Sequence, residues 1–159
     1  MSDAQRIWQL LADVPDPEIP VVSVVDLGMV RDVDTSGDGI RVDVSPTYSG
    51  CPATEVIEHS IEAKLVNAGF ESVTIRRVLS PPWTTDWISE SGREKLREYG
   101  IAPPVGSATK RELTGKTAVH CPRCGSSGTT VVSEFGSTAC KASWKCDDCL
   151  EPFEYFKCI

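Results

Sequence analysis

Two Cys-x-x-Cys pairs, Cys121-Pro122-Arg123-Cys124 and Cys146-Asp147-Asp148-Cys149, lie near the end of the 159-residue chain and constrain how that part can fold. Four thiolates delivered from two tight turns build the tetrahedral sulfur cage that Zn²⁺ prefers. The two intervening residues let the backbone curl around an ion and aim N–H groups at the sulfurs. Gly125, directly after the first pair, supplies the positive-φ freedom such a turn needs. A site of this kind folds its own module, because ligand bonds stabilise a segment too small for a large core. The same cysteines would also hold an Fe–S cluster or a rubredoxin-like iron, so the spacing leaves both zinc and iron open.

The remaining length suits one ordinary domain, and 40% hydrophobic content is enough for a packed core. No run approaches eighteen apolar residues, and Met1-Ser2-Asp3-Ala4-Gln5 lacks the regions of a signal peptide, so no membrane association and a cytoplasmic location are expected. In that reducing compartment seven cysteines, an odd number, read as ligands and reactive thiols rather than as a disulfide framework. Residues 1–100 carry 17 acidic and 9 basic side chains, net −8, and residues 101–159 carry 6 and 7, net +1. Neither part has the clustered Lys and Arg that nucleic-acid binding draws on, so the ribbon is not expected to bind nucleic acid.

Ser2-Asp3-Ala4-Gln5 has the form of a capping box, followed by Ile7, Leu10, Leu11 and Val14 on one helical face. This helix is expected to end near Asp13, before Asp16-Pro17-Glu18-Ile19-Pro20. Strands follow at about 29–34 and 40–44, joined as a hairpin across Ser36-Gly37-Asp38-Gly39. Residues 52–68 form the principal helix, with Val56, Ile57, Ile61 and Leu65 on its buried stripe and Gly69 as its stop. A third strand at Val73–Ile75, a loop rich in Pro and Trp over 80–87, and a helix from Ser89 to Gly100 complete an αββαβα order. The expected fold is therefore α+β: helices on a three-stranded sheet over residues 1–104, a linker at 105–118, and a four-cysteine zinc ribbon at 119–159.

Thr47-Tyr48-Ser49-Gly50-Cys51-Pro52 places Cys51 at the N-cap of the principal helix, because proline is favoured at the first helical position. Free N–H groups and the positive end of the helix dipole favour the thiolate there, the form that acts as nucleophile and metal ligand. A buried, inert small cysteine is the alternative on composition alone.

The order Asp16-Pro17-Glu18-Ile19-Pro20, Val25-Asp26-Leu27-Gly28-Met29-Val30, then Thr47 to Pro52 resembles the motifs of the SufT-like metal-sulfur cluster biosynthesis family, whose members assist Fe–S protein assembly. Ser80-Pro81-Pro82-Trp83-Thr84-Thr85-Asp86-Trp87-Ile88-Ser89, Tyr99 to Pro104, the closing Glu151 to Ile159 and the fused ribbon extend the resemblance, over nearly the whole chain, to the PaaD family of accessory components of phenylacetyl-CoA epoxidase. The resemblance implies a non-catalytic accessory role in maturing that enzyme, whose oxygenase subunit holds di-iron and whose reductase subunit holds flavin and [2Fe–2S]. The implied partners are those subunits and the Fe–S assembly machinery. Cys51 is then the functional thiol, open to transient iron or Fe–S contact, and Asp16 and Glu18 are the signature acids. A turn role suits Asp16, Glu18 and Asp26 equally well.

His120 beside Cys121 reads as a surface residue that four cysteines make unnecessary as a ligand. Cys140 and Cys158 read as packing residues of the ribbon, or as additional thiols that enlarge its site. Trp83 and Trp87 read as core residues, or as a protein-contact patch if exposed. A thiol enzyme needs a base near Cys51, and His59, two turns along the helix, is out of reach of a direct hydrogen bond. The rival to assembly is a stoichiometric structural or regulatory subunit that transfers no metal.

Overall fold

The computed structural model describes residues 1–48, 50–105 and 119–157. The chain divides into two compact units, residues 1–83 and 84–159.

In the first unit, α1 (Asp3–Leu11) opens on the expected capping box. The Ser2 N–H donates to Gln5 Oε1 (2.9 Å) and the Gln5 N–H donates to Ser2 Oγ (3.3 Å). β1 (Val30–Asp34) pairs antiparallel with β2 (Ile40–Val44), and β2 pairs in parallel with β3 (Val73–Arg77). That parallel pairing needs a crossover, which α2 (Ala53–Asn67) supplies. Gly69, at φ 93°, ends α2 in a Schellman turn: its own N–H donates to Val66 O (3.0 Å) and the Phe70 N–H donates to Leu65 O (3.1 Å). Ile7, Leu11, Val24, Leu27, Val42 and Ile61 pack the core, each buried. Trp83 is a core residue too, its indole N–H donating to Leu27 O (2.8 Å).

The buried stripe of α2 differs from expectation at one place. Ala53, Thr54, Ile57, Ile61 and Leu65 face inward, whereas Val56 is 53% exposed. Apolar content alone could not assign Val56, because the helix carries valine on its outer side as well.

In the second unit a 3₁₀ turn (Thr85–Trp87) leads to α3 (Glu90–Tyr99), capped by Ser89, whose Oγ accepts from the Gly92 N–H (2.9 Å), and closed by Gly100 at φ 93°. The sheet runs in the order β4 (Ile101–Ala102), β7 (Pro152–Phe156), β6 (Lys141–Cys146), β5 (Thr129–Ser133). Residues 84–104 therefore group with the ribbon, not with the three-stranded sheet as the boundary at 104 anticipated. The reason is a pairing with no local signature: Ile101 and Ala102 lie parallel to Glu154 and Tyr155. The Arg93 guanidinium reinforces it, donating to Pro104 O (2.6 Å) and Thr85 O (2.9 Å). Most of the expected linker, residues 106–118, lies outside the described residues.

The two sides of α2 should respond differently to truncation. Ile61→Ala removes a fully buried side chain and should cost about 2–5 kcal/mol in denaturant unfolding, while Val56→Ala should stay within about 0.5 kcal/mol of the parent.

Candidate functional site

The structure brings the sulfurs of Cys121, Cys124, Cys146 and Cys149 within 4.8 Å of one another. Between the pairs, Cys121 Sγ lies 3.7 Å from Cys149 Sγ, and Cys124 Sγ lies 3.5 Å from Cys146 Sγ. A tetrahedron with metal–sulfur bonds of about 2.3 Å requires sulfurs about 3.8 Å apart, so the set is sized for one ion. The separations far exceed the roughly 2.05 Å of a disulfide.

The two knuckles repeat one another. The Cys121 N–H donates to Ser126 O (2.9 Å) as the Cys146 N–H donates to Glu151 O (3.0 Å). The Arg123 N–H points at Cys121 Sγ and the Cys149 N–H at Cys146 Sγ, both at 3.4 Å. The residue after each second cysteine is left-handed: Gly125 at φ 76° and Leu150 at φ 64°. The sequence signals this turn at Gly125 and conceals it at Leu150, where a leucine adopts the same strained geometry.

The acids inside the second knuckle act as struts, a role the spacing alone did not reveal. Thr130 Oγ1 donates to the Asp147 carboxylate (2.9 Å to Oδ2), the Asp147 N–H donates to Gly128 O (2.8 Å), and Ser126 Oγ donates to the Asp148 carboxylate. Beneath the site Ala102, Val119, Phe153 and Tyr155 form a small core together with Cys121 and Cys146 themselves. His120 is exposed and does not join the converging group. Cys140 is also outside it, buried in the turn just before β6 with its sulfur 3.0 Å from Thr138 Oγ1. Cys158 lies outside the described residues.

As free thiols Cys146 and Cys149 titrate very differently. The Cys149 N–H, the largest influence on Cys146, helps bring that thiol down to about 7. Cys149 is pushed up to about 12: the Glu151 N–H favours its thiolate, but burial and the three neighbouring sulfurs outweigh it. Loading a cation therefore expels protons.

Cys51 belongs to the first unit, on the loop between β2 and α2. It is 9% exposed, follows Gly50 at φ 75°, donates its N–H to Tyr48 O (3.3 Å) and accepts at its carbonyl from the Thr54 N–H (3.2 Å). The hydrogen-bonded helix begins at Ala53 with Pro52 at its cap, so Cys51, expected at the N-cap, stands one residue ahead of it. Pro52 nevertheless has helical dihedrals (φ −68°, ψ −20°), which keeps Cys51 at the mouth of α2.

A run of backbone bonds draws the acidic motifs to the same end of the sheet. The Asp16 N–H donates to Val22 O (2.8 Å), the Val24 N–H to Val14 O (3.0 Å), the Met29 N–H to Val24 O (3.0 Å) and the Ser45 N–H to Met29 O (2.8 Å). Asp16 is buried, and its Oδ1 accepts from the N–H groups of Glu18 (2.9 Å) and Ile19 (2.8 Å), closing an Asx turn in which Glu18 is half-buried. Asp26 locks a second turn: its Oδ2 accepts from the Ser23 N–H and its own N–H donates to Ser23 Oγ, both at 3.0 Å. The Ser-x-x-Asp spacing of a capping box was the available signal for that lock. Among the described residues Cys51, Asp16 and Glu18 do not converge as a second metal cluster.

Residues 4–76 match the family described as an iron-sulfur cluster assembly protein, and residues 106–157 match the PaaD zinc beta ribbon domain. The chain is 54% identical over 154 residues, covering 97% of it and 92% of the relative, to an Escherichia coli (strain K12) protein named as a component of 1,2-phenylacetyl-CoA epoxidase. The chain belongs to the PaaD family. A shorter relative, an Fe-S protein maturation auxiliary factor of Porphyromonas gingivalis, is 36% identical and covers 64% of this chain and 94% of that one. A solved DUF59 domain of unknown function from Bacillus anthracis superposes with a TM-score of 0.54 at 26% identity, covering 58% of this chain and 90% of that one. The PaaD architecture thus joins the assembly-protein domain of the shorter relatives to a metal-binding ribbon. No helix among the described residues is long and apolar enough to cross a membrane.

Three outcomes test the ribbon site. Cys121→Ser and Cys146→Ser should lose most metal affinity and Cys140→Ser little of it. Affinity of the parent should rise with pH, with protons released on loading, as read by calorimetry in buffers of different ionisation enthalpy. Leu150→Gly relieves the left-handed strain and should stabilise the metal-loaded protein by about 1 kcal/mol in thermal unfolding.

Proposed function

We propose that this protein is a cytoplasmic, non-catalytic accessory factor that helps insert an Fe–S cluster or iron into subunits of the phenylacetyl-CoA epoxidase of aerobic phenylacetate catabolism. The carrying observation is the position of Cys51: a thiol at the mouth of α2, on the end of the sheet where the Asp16 turn is tied, in a domain whose relatives are named Fe-S protein maturation auxiliary factors. A single cysteine sulfur outside a closed set is a soft ligand for iron in transit. Asp16 caps the turn that holds Glu18, and backbone bonds tie that turn to the same end of the sheet.

The ribbon has a different role in this reading. Its four thiolates form a closed set supported by N–H groups aimed at sulfur, which suits a redox-inert structural zinc. Zinc there folds the module and leaves no open position for transfer, so the cargo passes by Cys51. A stoichiometric subunit without metal transfer is the second reading, and the Escherichia coli relative, which is named as part of the epoxidase itself, favours it.

Co-expression with the oxygenase and reductase subunits separates the two. The parent should carry about one zinc per chain, as expected for a closed site. Cys51→Ser should keep that zinc and the fold, since serine is nearly isosteric, yet leave the partner subunits short of iron and acid-labile sulfide. Full cluster occupancy with Cys51→Ser would give the subunit reading the lead.

A further inference from the structure

α2 carries apolar residues on two sides. Away from its buried stripe, Val56, Ala63 and Val66 form a second row within about 80° of arc, and Val56 and Val66 are each 53% exposed. An ordinary surface helix covers such a strip with charge. Here exposed His59 stands within the strip, Lys64 lies on its far side facing Asp13 (3.7 Å), and Glu55, Glu58 and Glu62 recur along the near side. Glu58 is held by Arg77, whose Nε and NH2 donate to it at 2.8 and 2.9 Å, while Glu55 and Glu62 are exposed. A groove of about 440 Å³ runs between this acidic row and β3, which is an edge strand of its sheet. The outer face begins at Pro52, immediately after Cys51.

We propose that the outer face of α2 is the docking surface for the protein whose metal site is being filled, and that it receives a basic amphipathic segment. Lysine or arginine side chains of that segment occupy the groove over Glu55 and Glu62, and its apolar side chains cover Val56, Ala63 and Val66. The inference rests on the maturation reading, because it places the recipient along the helix that Cys51 opens. Charge selects the occupant: residues 1–100 carry net −8, which steers basic surfaces in and repels a second, equally acidic copy.

The test uses the full-length, metal-loaded protein and the purified, cluster-free reductase subunit of the epoxidase as probe. Amide NMR mapping should show perturbations centred on the outer face of α2. Val56→Lys combined with Val66→Lys should weaken binding roughly tenfold or more, as charge does at the centre of an apolar contact, with circular dichroism and metal content unchanged because both sites are exposed. Glu55→Lys with Glu62→Lys should slow association and flatten its salt dependence. A footprint on the ribbon instead, self-association through α2, or no footprint at micromolar probe overturns the proposal. If the valine double variant matures the partner normally while Cys51→Ser does not, the docking surface is wrong and the maturation reading stands. If Cys51→Ser matures the partner fully, the maturation reading falls and this inference falls with it.

Discussion

Four sulfurs within 4.8 Å of one another cannot all be charged unless a cation sits among them. Without one, protons must remain, which is why the Cys149 thiol is held up near 12 while its neighbour Cys146 falls to about 7. The second unit is organised around this constraint. Two of the six residues of its buried cluster, Cys121 and Cys146, belong to the four-sulfur set, so gathering the sulfurs and packing this core are one event. The paired knuckle turns, the Asp147 and Asp148 struts and the strained Leu150 all follow from holding the sulfurs in place.

The first unit treats its cysteine in the opposite way. Among the described residues no ring of thiols closes around Cys51; it follows a left-handed glycine at a helix mouth, with backbone bonds rather than side-chain ligands fixing the loops beside it. A closed thiolate set retains an ion, and a single thiol at a helix N-terminus can only hold one in passing. In the proposed reading, residence therefore belongs to the ribbon and transit to Cys51, so one chain uses cysteine for two purposes.

Much of this was legible in the chain wherever the cause was local. The capping box at Ser2, the Schellman stop at Gly69, the cap at Ser89 and the close at Gly100 each depend on a few consecutive residues, and the paired Cys-x-x-Cys spacing needs only two turns. The three-stranded sheet followed from period-two alternation and a crossover helix. Tertiary structure alone decided the rest, because those features depend on partners remote in sequence. Ile101 and Ala102 join the ribbon only because β7, some fifty residues later, offers them an edge. Val56 is exposed because α1, the sheet and their packing choose which apolar side of α2 to bury. Leu150 is left-handed because it closes the second knuckle turn as Gly125 closes the first, and the contacts of that turn outweigh its strain. Residue types and spacings determined which chemistry this chain can perform, and only the packing of distant segments determined which faces remain open to perform it.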